Sequence, residues 1–156
     1  MLGNEGEGYK IAMYALDSSR IGVAAQATGL AEAALAHAIE YTKERVQFGK
    51  PLSKFQNTQF KLADMAIKVE AANLMLHNAG QDKAEGRPYT ISASMAKKFC
   101  SDIAMEVTTA AVQLFGGYGF SEDYPVARLM RNAKVTQIYE GTNEAQQMVV
   151  GGSLLR

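Results

Sequence analysis

The sequence is poor in the residue types that mark several common classes of protein. Its 156 residues include one cysteine, three prolines and no tryptophan, and its 16 basic and 16 acidic side chains cancel to a formal net charge of zero. A single cysteine excludes an internal disulfide and favours a reducing compartment. The balanced charge provides no basic field, so neither nucleic acid nor an anionic membrane surface is an expected partner.

Other absences argue against a membrane span, a signal peptide and a metal site. No apolar run is long enough to cross a bilayer, and the first ten residues lack the charged and apolar regions of a signal peptide. His37 and His77 are far apart, with no cysteine or carboxylate at metal-ligand spacing, so we expect no metal. Cys100 falls in a predicted helix without a catalytic partner in view. A packing role is therefore favoured over a nucleophilic one.

Long segments rich in alanine, leucine, methionine and lysine are separated by Pro51, Pro88 and Pro125, as expected when proline is excluded from helix interiors. No segment shows the two-residue period of a strand. The sequence therefore predicts an all-α fold, an antiparallel bundle of four main helices. Helices are expected over residues 9–45, from Ser53 with a capping box at 53–56, over 90–115, over 124–133, and from the N-cap Thr142 to about 155.

The second predicted helix carries two apolar stripes rather than one. A helix that is apolar on two sides packs on two sides, which is typical of a bundle inside a larger assembly. One stripe contains Phe60, Ala63, Ile67 and Leu74, and the other contains Leu62, Met65, Val69 and Leu76.

Four stretches could carry chemistry, and each also has an ordinary interpretation. Residues 17–20 place an acid and an arginine at i and i+3, as in many surface ion pairs. Residues 45–49 end a helix with an arginine, which suits the helix dipole or a phosphate. Residues 113–120 are a glycine-rich helix C-cap and turn, without the strand that a dinucleotide fingerprint requires. Residues 140–142 place a glutamate before a glycine, usually a solvated turn.

Together, in this order and spacing, these stretches resemble the acyl-CoA dehydrogenase family. The resemblance runs through LGNEGEGYKIAM, RVQFGKPLSKFQNTQFKLADMA, QLFGGYGF and RNAKVTQIYEGTNEAQ, and it is strongest to the short-chain, butyryl-CoA type. It covers residues 1–156 but matches only the C-terminal helical domain of that family. The family's N-terminal helical domain and middle β-domain are absent, and Met1 is expected to be a fragment boundary.

The resemblance implies roles for the residues around the acid. Glu140 matches the catalytic base that removes the α-proton of an acyl-CoA thioester, and the preceding pair 138–139 is expected to shield it from water. Some related enzymes carry the base just before the arginine of the first helix, where this chain has Ser19, which cannot serve. Asp17 and Arg20 match contacts to the CoA part of the substrate. Tyr139 and Gly141 would line the thioester site.

The resemblance also implies an FAD cofactor shared between subunits. Thr142 and Glu144 match contacts to the subunit's own FAD. The residues that match the surface for a neighbouring subunit's FAD are Arg45, Gln47, Phe48, Phe55, Gln56, Gln113, Leu114, Gly116 and Gly117.

The function implied is dehydrogenation of acyl-CoA in fatty acid β-oxidation, by a homodimer or homotetramer that passes electrons to electron-transfer flavoprotein. The compartment is the bacterial cytoplasm or the mitochondrial matrix. Three alternatives stay open: an acyl-CoA oxidase; for the chain by itself, an oligomerisation module without activity; and a four-helix bundle that binds no ligand.

Overall fold

A computed structural model of the protein describes residues 3–156. Met1 and Leu2, and with them the predicted boundary at Met1, lie outside the described residues. The all-α class is confirmed: helices account for almost all of the regular structure. The elements are α1 (Gly8–Glu44), β1 (Val46–Gln47), β2 (Lys50–Pro51), a 3-10 turn (Leu52–Lys54), α2 (Gln56–Ala84), α3 (Thr90–Phe115), α4 (Gly117–Phe120), α5 (Pro125–Thr136) and α6 (Asn143–Leu154).

Side-chain contacts give the directions of α1 and α2. Ser18, near the start of α1, binds Lys83 at the end of α2. Further along α1, Glu32 Oε1 accepts a hydrogen bond from Asn73 Nδ2 at 2.7 Å. Residue numbers thus fall along α2 as they rise along α1, so these two helices are antiparallel, as predicted.

The third long helix runs parallel to the first. Thr90 at the start of α3 donates to Asp17 Oδ2 at 2.6 Å, and at the other end the Tyr41 and Phe115 rings stack with centroids 3.9 Å apart. The fourth position of the bundle is shared by shorter helices: α5 packs against α1 and α3, and α6 packs against α3.

The core is built mainly of small side chains. Alanines with no exposed surface occur along both α1 and α3, which pack extensively against each other, and small side chains let helix backbones approach closely at high packing density. These are Ala24, Ala27, Ala31, Ala34 and Ala38 on α1, and Ala93, Ala96, Ala104 and Ala111 on α3.

A short β-hairpin joins α1 to α2, although no strand is predicted there. Val46 pairs with Pro51 across the hairpin. Phe48 and Gly49 form the turn with φ of 52° and 78°, the left-handed pair that two-residue hairpin turns require. With only two residues in each strand, the hairpin is too short to show a two-residue period in the sequence.

The predicted capping box at the start of α2 is wrong. Ser53 lies in the 3-10 turn, and α2 begins at Gln56 after Phe55, without a side-chain cap. Phe55 is extended, with φ of −93° and ψ of 131°, and Lys50 Nζ lies 4.3 Å from its ring centroid. The hairpin thus contacts Phe55 where the capping box would need a helical residue. The Gln59 amide binds the Ser53 carbonyl instead, at 3.0 Å.

The two apolar stripes of α2 have different surroundings. Met65 and Val69, from one stripe, are buried in the bundle. Phe60, Ile67 and Leu74, from the other, have 63%, 70% and 62% of their surface exposed. We refer to these three residues as the outer stripe. The chain therefore covers one apolar side of α2 and leaves the other facing outward.

The ordinary interpretation of Cys100 is confirmed, because the thiol is buried, its pKa is raised by burial, and it donates to the Ala72 carbonyl at 3.4 Å. His37 and His77 are exposed on helix surfaces. Within residues 3–156, no cluster of three or more potential ligand side chains could hold a metal ion. In the same part of the chain, no helix has the length and apolar character needed to span a membrane.

Candidate active site around Glu140

Glu140 lies in the six-residue loop between α5 and α6, where the backbone is left-handed at two successive positions. Glu140 has φ of 54° and Gly141 has φ of 86°. For a residue with a β-carbon this conformation costs roughly 1–2 kcal/mol. Gly141 also has no room for a side chain, since a β-carbon there would lie 2.5 Å from Gln146 Nε2. The chain therefore turns sharply into α6 directly after the acid.

The N-cap predicted at Thr142 is confirmed. Its Oγ1 accepts a hydrogen bond from the Ala145 backbone N–H at 3.3 Å. The pKa of Glu144, in the first turn of α6, is lowered by its own backbone N–H and then by the Thr142 hydroxyl. The Thr142 cap and the backbone N–H that lowers the pKa of Glu144 both reflect the unpaired N–H groups of a helix N-terminus. This N-terminus lies two residues beyond Glu140.

The Glu140 carboxylate contacts α1 through Ser19, which the sequence analysis considered only as the alternative position of the base. Ser19 Oγ lies 2.6 Å from Glu140 Oε2 and 3.0 Å from the Leu16 carbonyl. A hydroxyl has one proton, and the shorter distance favours donation to the carboxylate. This contact places residues 17–20, which include the candidate substrate residues Asp17 and Arg20, next to the loop that carries Tyr139 and Gly141.

The expected shielding of Glu140 by residues 138–139 is not found within this chain. Ile138 is 54% exposed and the Glu140 side chain is half-buried. The Tyr139 hydroxyl binds Gln26 on α1, so this ring is attached to the bundle rather than covering the acid. Neither residue therefore covers the Glu140 carboxylate. Shielding this carboxylate from water requires residues other than Ile138 and Tyr139.

A buried polar group that was not predicted holds the backbone of the loop. Lys97 Nζ donates to the Gly141 carbonyl at 2.8 Å and to Asn143 Oδ1 at 2.9 Å. Gln146 Nε2 donates to the same Gly141 carbonyl at 3.0 Å and to the Glu140 carbonyl at 3.3 Å. Lys97 and Gln146 have no exposed surface. The carbonyls of Glu140 and Gly141 are therefore both bound by buried side chains.

Asn143 extends the network to α3, where Gln137, at the start of the loop, also binds. Its Nδ2 donates to Ser101 Oγ at 2.9 Å and to Asp102 Oδ1 at 2.8 Å, and Gln137 Nε2 binds the same Asp102 oxygen at 2.6 Å. Burial lowers the pKa of Lys97 to about 8, against the opposing effect of Asp102. A pKa of about 8 still favours the charged form of Lys97 at pH 7.

The ion pair between Asp17 and Arg20 is not the surface pair of the ordinary interpretation. Arg20 Nη1 lies 2.6 Å from Asp17 Oδ1, and only 8% of Arg20 is exposed. Arg20 also approaches Ser94 at 3.4 Å, while Asp17 accepts from Thr90, so the pair ties α1 to α3. Within the described residues, the buried Arg20 Nε has no hydrogen-bond partner.

Most of the remaining candidate cofactor residues line one open cavity of about 610 Å³. Gly116 ends α3 with a left-handed φ of 62°, which accounts for a glycine at that position. A β-carbon built at Gly117 meets no atom within 4 Å, so neither backbone conformation nor packing within the described residues explains this second glycine. The Arg45 guanidinium lies over the Tyr118 ring, 5.2 Å from its centroid. A cation, amides and open glycine backbone suit a flat, anionic cofactor such as FAD. The lining residues are Tyr41, Arg45, Gln47, Leu52, Gln113, Leu114, Phe115, Gly116, Gly117 and Tyr118.

The other candidate cofactor residues lie elsewhere. Phe48, at the hairpin tip, is 92% exposed, and its ring meets Phe55 edge-on with centroids 6.3 Å apart. Gln56 is exposed at the first position of α2. Thr142 and Glu144 lie at the start of α6 beside Glu140. The predicted set is thus divided between the Glu140 loop and the hairpin–cavity region.

Comparison with known proteins identifies the family of the chain. Residues 6–155 match the family model described as the C-terminal domain of acyl-CoA dehydrogenase. The short-chain specific acyl-CoA dehydrogenase of Megasphaera elsdenii is 66% identical over 156 residues, which are all of this chain and 41% of that protein. The chain therefore spans well under half the length of this curated relative.

Solved structures share the fold closely. Butyryl-CoA dehydrogenase from Megasphaera elsdenii superposes with a TM-score of 0.99 at 66% identity, covering 100% of this chain and 41% of the other. A chain in a structure of the electron transferring flavoprotein of Acidaminococcus fermentans gives a TM-score of 0.98 at 62% identity, covering 99% and 40%. With this match in sequence and structure, the chain belongs to the acyl-CoA dehydrogenase family.

Proposed function

We propose that this chain is the base-carrying part of an FAD-dependent dehydrogenase that introduces a double bond between the α and β carbons of a short-chain acyl-CoA thioester. The observation that carries the proposal is a glutamate in a left-handed loop, where buried Lys97 and Gln146 bind the carbonyl of the next residue, Gly141. The activity belongs to a longer protein, since similar enzymes are more than twice as long as this chain.

The chain's own chemical task is proton transfer. The Glu140 carboxylate takes the proton from the carbon next to the thioester carbonyl, for which it must be ionised. FAD, when bound, supplies the acceptor for the hydride that leaves the β carbon. Ser19 holds one carboxylate oxygen at 2.6 Å, which fixes the direction of the acid before substrate arrives.

Substrate and cofactor are assigned to the two regions separately. Arg20, with Asp17 as its partner, lies beside the loop and offers positive charge to the CoA part of the substrate. Tyr139 and Gly141 flank the acid and would lie along the thioester. Thr142 and Glu144 would contact the FAD of the same subunit at the start of α6, and the cavity with Arg45 and Gln113 would hold the FAD of a neighbouring subunit.

The remaining partners follow from the same proposal. The protein acts as a homo-oligomer in the cytosol or the mitochondrial matrix and passes its electrons to electron-transfer flavoprotein. The similarity to a chain in a structure described by that flavoprotein's name supports this acceptor. Rapid reoxidation of the reduced enzyme by air would instead support the acyl-CoA oxidase alternative.

The decisive experiment replaces the acid in the full-length flavoprotein. Glu140→Gln keeps the size of the side chain but cannot accept the proton, so kcat with butyryl-CoA should fall by roughly 100- to 10,000-fold. Glu122→Gln, at an exposed acid before α5, is the matched control and should leave turnover unchanged. Visible spectra of both variants verify that FAD is still bound. Normal turnover by Glu140→Gln would rule out Glu140 as the base.

The chain by itself should be inactive. Glu140 is only half-buried and the cofactor cavity is open on one side, so FAD and thioester lack most of their enclosing surface. Mixing the purified 156-residue chain with FAD and butyryl-CoA should give no dye reduction above the rate with free FAD. Flavin-dependent turnover that Glu140→Gln abolishes would show that the remaining domains are dispensable.

A further inference from the structure

The conformation of Glu140 has to be maintained by something outside the loop. Glu140 and Phe48 are the only residues with a β-carbon and positive φ in the described part of the chain. Such backbone persists only where the surroundings over-determine it. Phe48 lies in a hairpin turn that favours this geometry, whereas Glu140 is followed by a single glycine and then a helix.

Lys97 supplies much of that constraint. It reaches from α3 to the Gly141 carbonyl at 2.8 Å and to the Asn143 side chain at 2.9 Å, so a single ammonium group binds both the second residue of the turn and the first residue of α6. Gln146 binds the Gly141 carbonyl from α6, but Gln146 moves with α6 itself. Lys97 is therefore the side chain that ties the Gly141 carbonyl to α3. It acts together with the bonds from Gln137 and Asn143 to Asp102 and the bond from Ser19 to Glu140.

Packing alone does not account for a lysine at this position. Lys97 has no exposed surface, and its ammonium makes no salt bridge within residues 3–156. A methionine of similar length would fill the same space without desolvating a charge. The charged groups that face Lys97 are Asp102 on α3, Glu144 on α6, Glu140 in the loop and Arg20 on α1, so its charge and that of Glu140 attract each other.

We propose that Lys97 is a positioning residue for the Glu140 base: it fixes the left-handed turn through the Gly141 carbonyl and Asn143, and its positive charge favours the ionised carboxylate. The inference rests on the proposed function, because it assigns Lys97 a task in the reaction that Glu140 performs. Lys97 itself does not touch the reacting atoms.

The test uses three variants of the full-length flavoprotein. Lys97→Met removes the donor and the charge, Lys97→Arg retains the charge, and Cys100→Ala is a matched control at a buried position one turn away on α3. Lys97→Met should lower kcat roughly 10- to 100-fold, because a base displaced by a fraction of an ångström reacts poorly. The KM for butyryl-CoA should change less than about threefold. Cys100→Ala should behave as the wild type.

The pH profile separates positioning from a general loss of stability. Losing a nearby positive charge disfavours the carboxylate, so the acid limb of kcat/KM should move to higher pH in Lys97→Met. Lys97→Arg should move it back towards the wild-type position. An acid limb that stays in place while kcat falls would leave Lys97 with a structural role only and would overturn the proposal. If Lys97→Met does not fold, Lys97→Gln, which retains a donor without the charge, should show the same displacement.

A measurement without turnover makes this test independent of the proposed function. The Asn143 backbone N–H bonds the Gln137 carbonyl at 3.1 Å across the loop. Hydrogen exchange at this amide should accelerate at least about tenfold in Lys97→Met and remain unchanged in Cys100→Ala. Unchanged exchange in Lys97→Met would overturn the positioning role. Faster exchange together with a fully active Glu140→Gln variant would instead show that the loop is held as proposed but that the base lies elsewhere.

Discussion

Gly141 is the residue at which the loop has least freedom. Its φ of 86° and the 2.5 Å approach that a β-carbon would make to Gln146 Nε2 exclude a side chain for two separate reasons. Gly141→Ala should lower the free energy of unfolding by about 1–3 kcal/mol, because the backbone strain persists even if Gln146 moves. Urea unfolding of the chain, followed by circular dichroism, measures the difference.

The matched control is Gly152→Ala in α6. This glycine has ordinary helical backbone and open space around a built β-carbon, so alanine there should leave the stability unchanged or raise it by up to about 1 kcal/mol. Equal effects of the two substitutions would contradict the account of the loop. In the full-length enzyme, Gly141→Ala should also lower turnover, since a displaced Gln146 no longer binds the Glu140 carbonyl.

At the residue scale, the sequence identifies the candidate base Glu140 but gives little information on the side chains that hold it in place. Glu140, Gly141 and Thr142 are adjacent, so a short motif identifies them together. Lys97 and Ser19 reach Glu140 or its neighbour only through the packing of α1 and α3 against the loop. The one sequence signal for Lys97 is its spacing of four residues from Ala93 and three from Cys100, which places it on the same face of α3 as these two buried residues, where a charge is unexpected.

At the scale of the elements, the long helices could be predicted because their sequences are long, periodic and bounded by proline. The structure gives Gly8–Glu44 and Thr90–Phe115 against predictions of 9–45 and 90–115. The predicted cap Thr142 is also found, because an N-cap depends on contacts within four residues.

The connection between α1 and α2 could not be predicted in this way. Pro51 and a serine three residues before Gln56 favour a helix start at Ser53, but the hairpin turn at Phe48 and Gly49 brings Lys50 over the Phe55 ring. This contact spans only five residues, yet it depends on a turn conformation that helix-start rules do not consider. The segment is also where several candidate FAD residues lie, so its irregular geometry coincides with its proposed role.

At the scale of the whole molecule, the bundle leaves a cavity open and several large apolar side chains exposed. The cavity beside Arg45 is open, Phe48 is almost fully exposed, and the outer stripe on α2 faces outward. Sequence analysis predicts the two-sided character of α2, because periodicity identifies both stripes. It cannot identify what covers the outer stripe, because a single chain contains no information on which surface of a partner it meets.

We expect the outer stripe to be the contact between copies of this chain in a homo-oligomer. Burying side chains as large as Phe60, Ile67 and Leu74 contributes roughly 1.5–3 kcal/mol each, and a carboxylate among them would have to be desolvated without a partner. Ile67→Asp should therefore reduce the molar mass in solution, measured by light scattering, from that of a dimer or tetramer towards that of a monomer. His37→Asp, at an exposed position on α1, adds an acid outside the stripe and should leave the mass unchanged.

A wild-type chain that is monomeric at all concentrations, with and without FAD, would mean that the outer stripe needs the remaining domains to assemble. An oligomer unaffected by Ile67→Asp would place the contact on another face, with the open cavity beside Arg45 as the next surface to test.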